Sequence, residues 1–335
     1  MLHRLSFAGV AAGIAAALCG VASVHANLTI VPTFASSITS SPNATYFESQ
    51  INSAISAIDG YIANPITVSI DFQAVTSGLG SNVASGSSLS YAQYLSDLQT
   101  HQSLSAADQS ALNSLPAGPN DPVPGNTSQN VDLNSALLRA LGESKGNING
   151  GFDGAIFLNL SLLMLPTNTA ATNAGLYSAQ TVVAHEIDEV LGIGGDGSNL
   201  NYAGQYTNGL VLDPVGPMDL FRYSGDGVRS YTTSSTVTSY FSIDGGKTDL
   251  VRFNQNSSGD YGDWYATTQV QNAFGLPGQV IDLGRNELTA LDVVGWNLTP
   301  AGTALETGTA IPEIPALAML AGGLGLALLT RKGRV

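Results

Sequence analysis

The chain of 335 residues contains a single cysteine, Cys19. No disulfide can form within it, so stability must come from an apolar core or from bound metal. Charge is also scarce: Asp, Glu, Lys and Arg make up 11% of the residues, and 25 acidic against 11 basic side chains leave a formal charge of −14. An acidic surface excludes nucleic acid and anionic lipid as partners and favours divalent cations. Histidine is nearly missing, since His3 and His25 lie near the start and only His101 and His185 remain for the rest. A site made of three histidines is excluded. Internal repeats and heptad seams are absent, while Gly, Ser, Thr, Asn and Ala are abundant.

The two ends read as address labels. His3 and Arg4 precede an apolar run from Phe7 to Val24, and Val24-His25-Ala26 supplies the small residues of a signal peptidase site, so residues 1–26 read as a signal peptide. Leu18 is too large for a lipoprotein cleavage site before Cys19. At the other end, Pro312-Glu313 is followed by apolar residues from Ile314 to Thr330 and by Arg331, Lys332 and Arg334. That run lies at the short limit for spanning a bilayer and reads as a membrane-spanning helix with a positive stop. The 311–335 tail resembles the PEP-CTERM sorting signal of Gram-negative bacteria, with the second proline displaced to Pro315. The resemblance implies an exosortase-type sorting enzyme as partner, and an inner-membrane-tethered precursor that passes to the cell surface or extracellular matrix.

Between the ends lie a body at 27–298 and a small, polar linker at 299–310. Phe47, Ile51, Ala54, Ile55 and Ile58 fall at helical spacing and predict a helix over 44–59. Ile66, Val68, Ile70, Phe72 and Ala74 alternate with polar residues, which predicts a half-buried strand after Pro65. Helical patterns follow at 90–100, 105–114 and 132–142, with a loop from Pro116 to Asn130, and 155–165 reads as a strand.

The segment Ser178–Gly195, SAQTVVAHEIDEVLGIGG, carries the chemistry. Ser178 can cap a helix and Gly192 can end it. At about 100° per residue, Val183, Ile187, Val190 and Leu191 share one face while His185, Asp188 and Glu189 share the other. An imidazole and a carboxylate one turn apart can hold one metal ion, and Glu186 on the flank can serve as a base toward water. Zinc proteases carry His-Glu-x-x-His at such a helix; here Glu189 replaces the second histidine.

HEIDEVLGIGG resembles the active-site helix of the metzincin-like metalloproteases found among PEP-CTERM proteins. PMDLFRYS at 217–224 looks like their Met-turn, YFSIDGG at 240–246 and GDYGDW at 259–264 like their later loops, and ELTALDVVGWNL at 287–298 like their closing helix. The resemblance implies an α+β fold with a mixed sheet whose edge strand binds an extended peptide. It maps His185 and Glu189 onto metal ligands, Glu186 onto the general base, and Met218 onto the methionine beneath the ion. The family spacing puts the third ligand at Gly195, so Asp196 is the best substitute, with Asp213 and Asp219 in reserve.

The resulting expectation is an exported metallopeptidase that hydrolyses peptides or proteins with zinc. A ligand set of His185, Glu189 and Asp196 also admits harder ions, calcium or manganese. The alternative is an inactive surface or exopolysaccharide-matrix protein that keeps the fold as a binding scaffold. Three residues carry plainer readings: His101 is a surface histidine, and Trp264 and Trp296 are core or loop anchors, Trp264 alternatively marking a glycan-contacting loop. The GGDGSN stretch at 194–199 could be a calcium-binding turn.

Overall fold

A computed structural model describes residues 27–101, 104–144, 150–202, 214–265 and 268–309. In its first half the elements run β1 (Thr29–Phe34), α1 (Ser36–Thr39), α2 (Ala44–Tyr61), β2 (Thr67–Ala74), β3 (Gly80–Ala84), β4 (Gly86–Ser90), α3 (Tyr91–His101), α4 (Ala106–Ser114), β5 (Asn130–Asn134), α5 (Ser135–Ala140) and β6 (Gly154–Leu158). Then come α6 (Ala170–Asn173), α7 (Ala179–Val190), the short strands β7 (Arg222–Gly225), β8 (Val228–Arg229), β9 (Tyr240–Phe241) and β10 (Val251–Arg252), and finally α8 (Arg285–Val294) and α9 (Pro300–Thr307).

The main sheet has the order β1-β2-β6-β3. β1, β2 and β6 are parallel, and β3 pairs antiparallel with β6, so the sheet is mixed and β3 forms its edge. The fold is α+β. On β2 the alternation works as read: Val68, Ile70 and Phe72 are fully buried. Phe47, Ile51, Ala54, Ile55 and Ile58 of α2 enter the same core, together with Val183, Ile187 and Val190 of α7. Helix α7 lies tight on β6, where a Cβ on Gly154 would stand 2.7 Å from Val190 Cγ2, so only glycine permits the approach.

The chain departs from the sequence reading in three places. Residues 132–142 divide into β5 and α5, because Val131 and Leu133 alternate inward before the helical run begins. The strand read at 155–165 stops at Leu158, after which the Asn159 side chain accepts from Ser161 N and turns the chain. Residues 300–307, read as linker, form α9, capped by Thr299 and ended by Gly308 at φ 69°.

The expectation of a C-terminal membrane and sorting helix is withdrawn. Among the described residues no helix is long and apolar enough to cross a membrane, and the 1–26 and 311–335 segments lie outside the described residues. With it go the tethered precursor and the surface destination, which rested on those two segments alone.

Where α4, α8 and α9 meet, three acids are buried together: Asp108, Asp292 and Glu306. Burial pushes Asp108 up to about 6 and Asp292 up to about 8, and raises Glu306. Ser105 Oγ donates to Asp292 Oδ2 at 2.6 Å, which offsets part of this. The folded chain therefore keeps protons that the unfolded chain, titrating at about 4, has released. The stability is full below that value and is lost as the pH rises through about 6 to about 8. Thermal denaturation in EDTA should give a lower Tm at pH 8 than at pH 5, and Asp292→Asn should flatten the slope, raising Tm at pH 8 by about 3–6 °C. A Tm that climbs with pH in both proteins would contradict the shared-proton account.

Candidate metal centre

Helix α7 begins at Ser178, whose side chain accepts from Thr181 N, and ends where Gly192 adopts φ 99°. Trp296 Nε1 donates to Leu191 O at 2.9 Å and Asn134 Nδ2 to Glu189 O at 2.7 Å, so the last carbonyls of the helix are satisfied from other elements. A helix fixed at both ends and buried along one side holds its other side still. That side presents His185, Glu186 and Glu189 to a cleft of ≈ 420 Å³.

His185 Nε2 stands 3.6 Å from Glu189 Oε1 and 3.6 Å from Asp263 Oδ2. These three residues are the one group among the described residues that offers ligand atoms all within 4.8 Å of one another. Ligands bound at roughly 2.0–2.2 Å around a tetrahedral ion are spaced roughly 3.3–3.6 Å apart, so the cluster is at coordination scale. It can hold a divalent metal ion.

Each ligand is oriented from behind. His185 Nδ1 lies 3.0 Å from Val270 O, and a proton donated there leaves the Nε2 lone pair for the ion. Glu189 Oε1 accepts from Gly195 N at 2.9 Å, and its Oε2 accepts from Asn82 Nδ2 of β3. Asp263 Oδ1 accepts from Gln271 Nε2 at 3.0 Å. The loop bearing Asp263 is anchored next door by Trp264, which is fully buried with its ring 5.2 Å from Phe253 and 5.7 Å from Phe241. Both Trp264 and Trp296 are core anchors, and the glycan-contact reading of Trp264 fails because its ring never reaches the surface.

Glycines make the space. A Cβ on Gly195 would stand 2.5 Å from Glu189 Oε1, and one on Gly194 would collide with Gln271 Nε2. The GGDGSN turn thus wraps the cluster.

Charge makes the case for a cation. Glu186, Glu189, Asp196, Asp260 and Asp263 line the cleft with one imidazole, and no Lys or Arg among the described residues joins them. Burial, then the neighbouring Asp263 and Glu186, holds Glu189 well above the usual carboxylate range. Burial also lifts Glu186 to about 7 against the pull of His185, Asp196 to about 7 with Asp260 adding to it, and Asp263 to about 6. For His185 burial pulls the other way, but Asp263 and Glu186 outweigh it and the imidazole is raised above its ordinary value. A divalent ion would offset this crowding, with a positive charge at the centre in place of protons on the carboxyls.

Of the residues singled out in the sequence, His185, Glu186 and Glu189 do meet in the cleft. Asp196 lines it too, and the third residue whose ligand atom lies with those of His185 and Glu189 is Asp263. Met218 is fully buried beside Gly197, to whose carbonyl its N–H donates at 2.9 Å, and it does not line the cleft. Asp219 is structural: it accepts from Ser198 Oγ, Asn199 N and Gly216 N and so ties down the turn after α7. Asp213 lies outside the described residues. Asp188, read on the polar face with His185, is instead fully buried near Glu287, its carboxyl held well above the usual range.

No family model, curated protein or solved structure matches this chain. The metzincin-like, PEP-CTERM assignment is therefore withdrawn. The resemblance rested on a His-Glu-x-x-Glu helix and several short loops, and the residue that joins His185 and Glu189 at coordination distance is Asp263 in a distant loop, not one at the glycine reversal. What remains is the local chemistry of the helix.

Proposed function

We propose that this chain is a metal-dependent hydrolase, a zinc peptidase, whose ion is held by His185, Glu189 and Asp263. The observation that carries the reading is the presence, in one cleft, of a three-residue ligand cluster and a fourth carboxylate, Glu186, beside it and outside it. Such an ion supplies Lewis-acid polarisation of a carbonyl and acidifies water. Glu186 has the protein's part in the reaction. Standing beside the cluster and not in it, Glu186 accepts a proton from the attacking water and returns it to the leaving nitrogen as the C–N bond breaks. Peptide is the substrate class favoured because Gly80, Ser81 and Asn82 of the free edge strand line the same cleft, where an extended chain can pair with the sheet.

Purified protein reconstituted with zinc should hold one ion per chain and hydrolyse an unstructured protein substrate. Chelation should abolish the activity and added zinc restore it. Elemental analysis that finds no ion after reconstitution with zinc, manganese or calcium would sink the reading.

A further inference from the structure

Strand β3 has an unusual composition for an edge, GSNVA, and its two helix-facing positions are shaped around the glutamates of α7. Gly80 is bare where a Cβ would collide with Glu186 Oε1 and stand 2.8 Å from Val182 Cγ1. Two residues on, at the same face of the pleat, Asn82 Nδ2 donates both to Glu189 Oε2 and, at 3.3 Å, to Glu186 Oε2. The amide's other end, Oδ1, is buried with no hydrogen-bond partner. Among the described residues the two glutamates are the hydrogen-bond partners of this side chain, and a buried polar atom left unpaired marks a position kept for some other purpose than stability.

We propose that Asn82 is a positioning residue of the metal centre, an inference that rests on the ligand assignment above. By engaging Glu189 Oε2 it turns toward the cluster the other oxygen, Oε1, which faces His185 Nε2 at 3.6 Å and also accepts from Gly195 N, and so would favour a one-oxygen grip on an ion. By holding Glu186 Oε2 with the same amide group, it keeps the base at a set distance from that ligand. One side chain thereby ties the positions of the two carboxyls to each other. Without it, Glu189 is free to turn both oxygens to the ion and raise its coordination number, and Glu186 is free to drift toward the same positive charge. Outer hydrogen bonds to ligands of this kind are worth 10–100-fold in metal affinity or activity.

Cobalt(II) is the probe, because the intensity of its visible absorption falls as the coordination number rises. The full chain, loaded with cobalt, is compared with Asn82→Ala and with Asn82→Asp, the latter matching asparagine in shape while lacking the donor. If either variant fails to fold by circular dichroism, the other decides. The expected result is about a 10–100-fold loss of cobalt affinity, weaker visible bands, and a fall in kcat for peptide hydrolysis with KM unchanged, because the backbone edge that meets the substrate is intact. Variants that bind cobalt with the affinity and spectrum of the unaltered chain overturn the role of Asn82 and leave the metal centre standing. An unaltered chain that binds no cobalt overturns the centre itself, and this proposal with it.

Discussion

Glu186→Gln should keep the bound ion and lose hydrolysis by about 10²–10⁴-fold. The substitution preserves the shape and volume of a side chain that is 4% exposed, so packing against Gly80 and Val182 is undisturbed. It removes only the capacity to take a proton. None of the three clustered ligand atoms belongs to Glu186, so the groups that would hold the ion stay in place. Ion content by elemental analysis and kcat on a peptide substrate separate the two effects. A variant as active as the unaltered chain would assign the proton transfer elsewhere, and one that loses the ion would make Glu186 a ligand.

The second large effect separates two neighbouring acids. Asp263→Asn should lower zinc affinity by about 10²-fold or more, since it deletes one of three ligands. Asp196→Asn should leave affinity within a few-fold, because Asp196 lines the cleft outside the cluster. Competition with a zinc chelator of known affinity measures both. The reverse order of losses would restore the ligand position read from the sequence and discard the one found in the fold. Lower pH should weaken binding in every variant that binds, since carboxyls lifted by burial must release their protons to solvent before they can hold the ion.

The contrast between these acids shows what was legible in the sequence. Helix α7 was readable from Ser178 to Gly192 because its cap, its 3.6-residue apolar period and its terminal glycine all agree. Two ligands four residues apart on one helix follow from that period alone. Asp263 does not, because its place depends on the path of a loop pinned by Trp264 against Phe253 and Phe241, and no local rule encodes that packing. A signal was present in GDYGDW, where two acids precede a tryptophan, but it carried no spacing rule to connect it with His185. The edge strand was missed for a related reason: GSNVA has little β-propensity, and it is a strand because β6 offers it a partner. Asp188 was misplaced because a helical wheel separates faces but does not say what else packs against them; α8 brings Glu287 to the side that looked exposed.

The distance along the chain between Glu189 and Asp263 has a mechanical meaning. An ion gripped by both closes a loop of about 74 residues that contains all of β7 to β10. In a chain whose lone cysteine leaves it no covalent bridge, an ion held there would be a removable staple. A cross-link around a loop of that length restricts the unfolded chain by about 4 kcal/mol on the entropic account, comparable to a disulfide. Unlike a disulfide, such a link would open to a chelator or to acid without any change of redox state, so the supply of free metal around the protein would set how firmly the Asp263 loop stays fastened to helix α7.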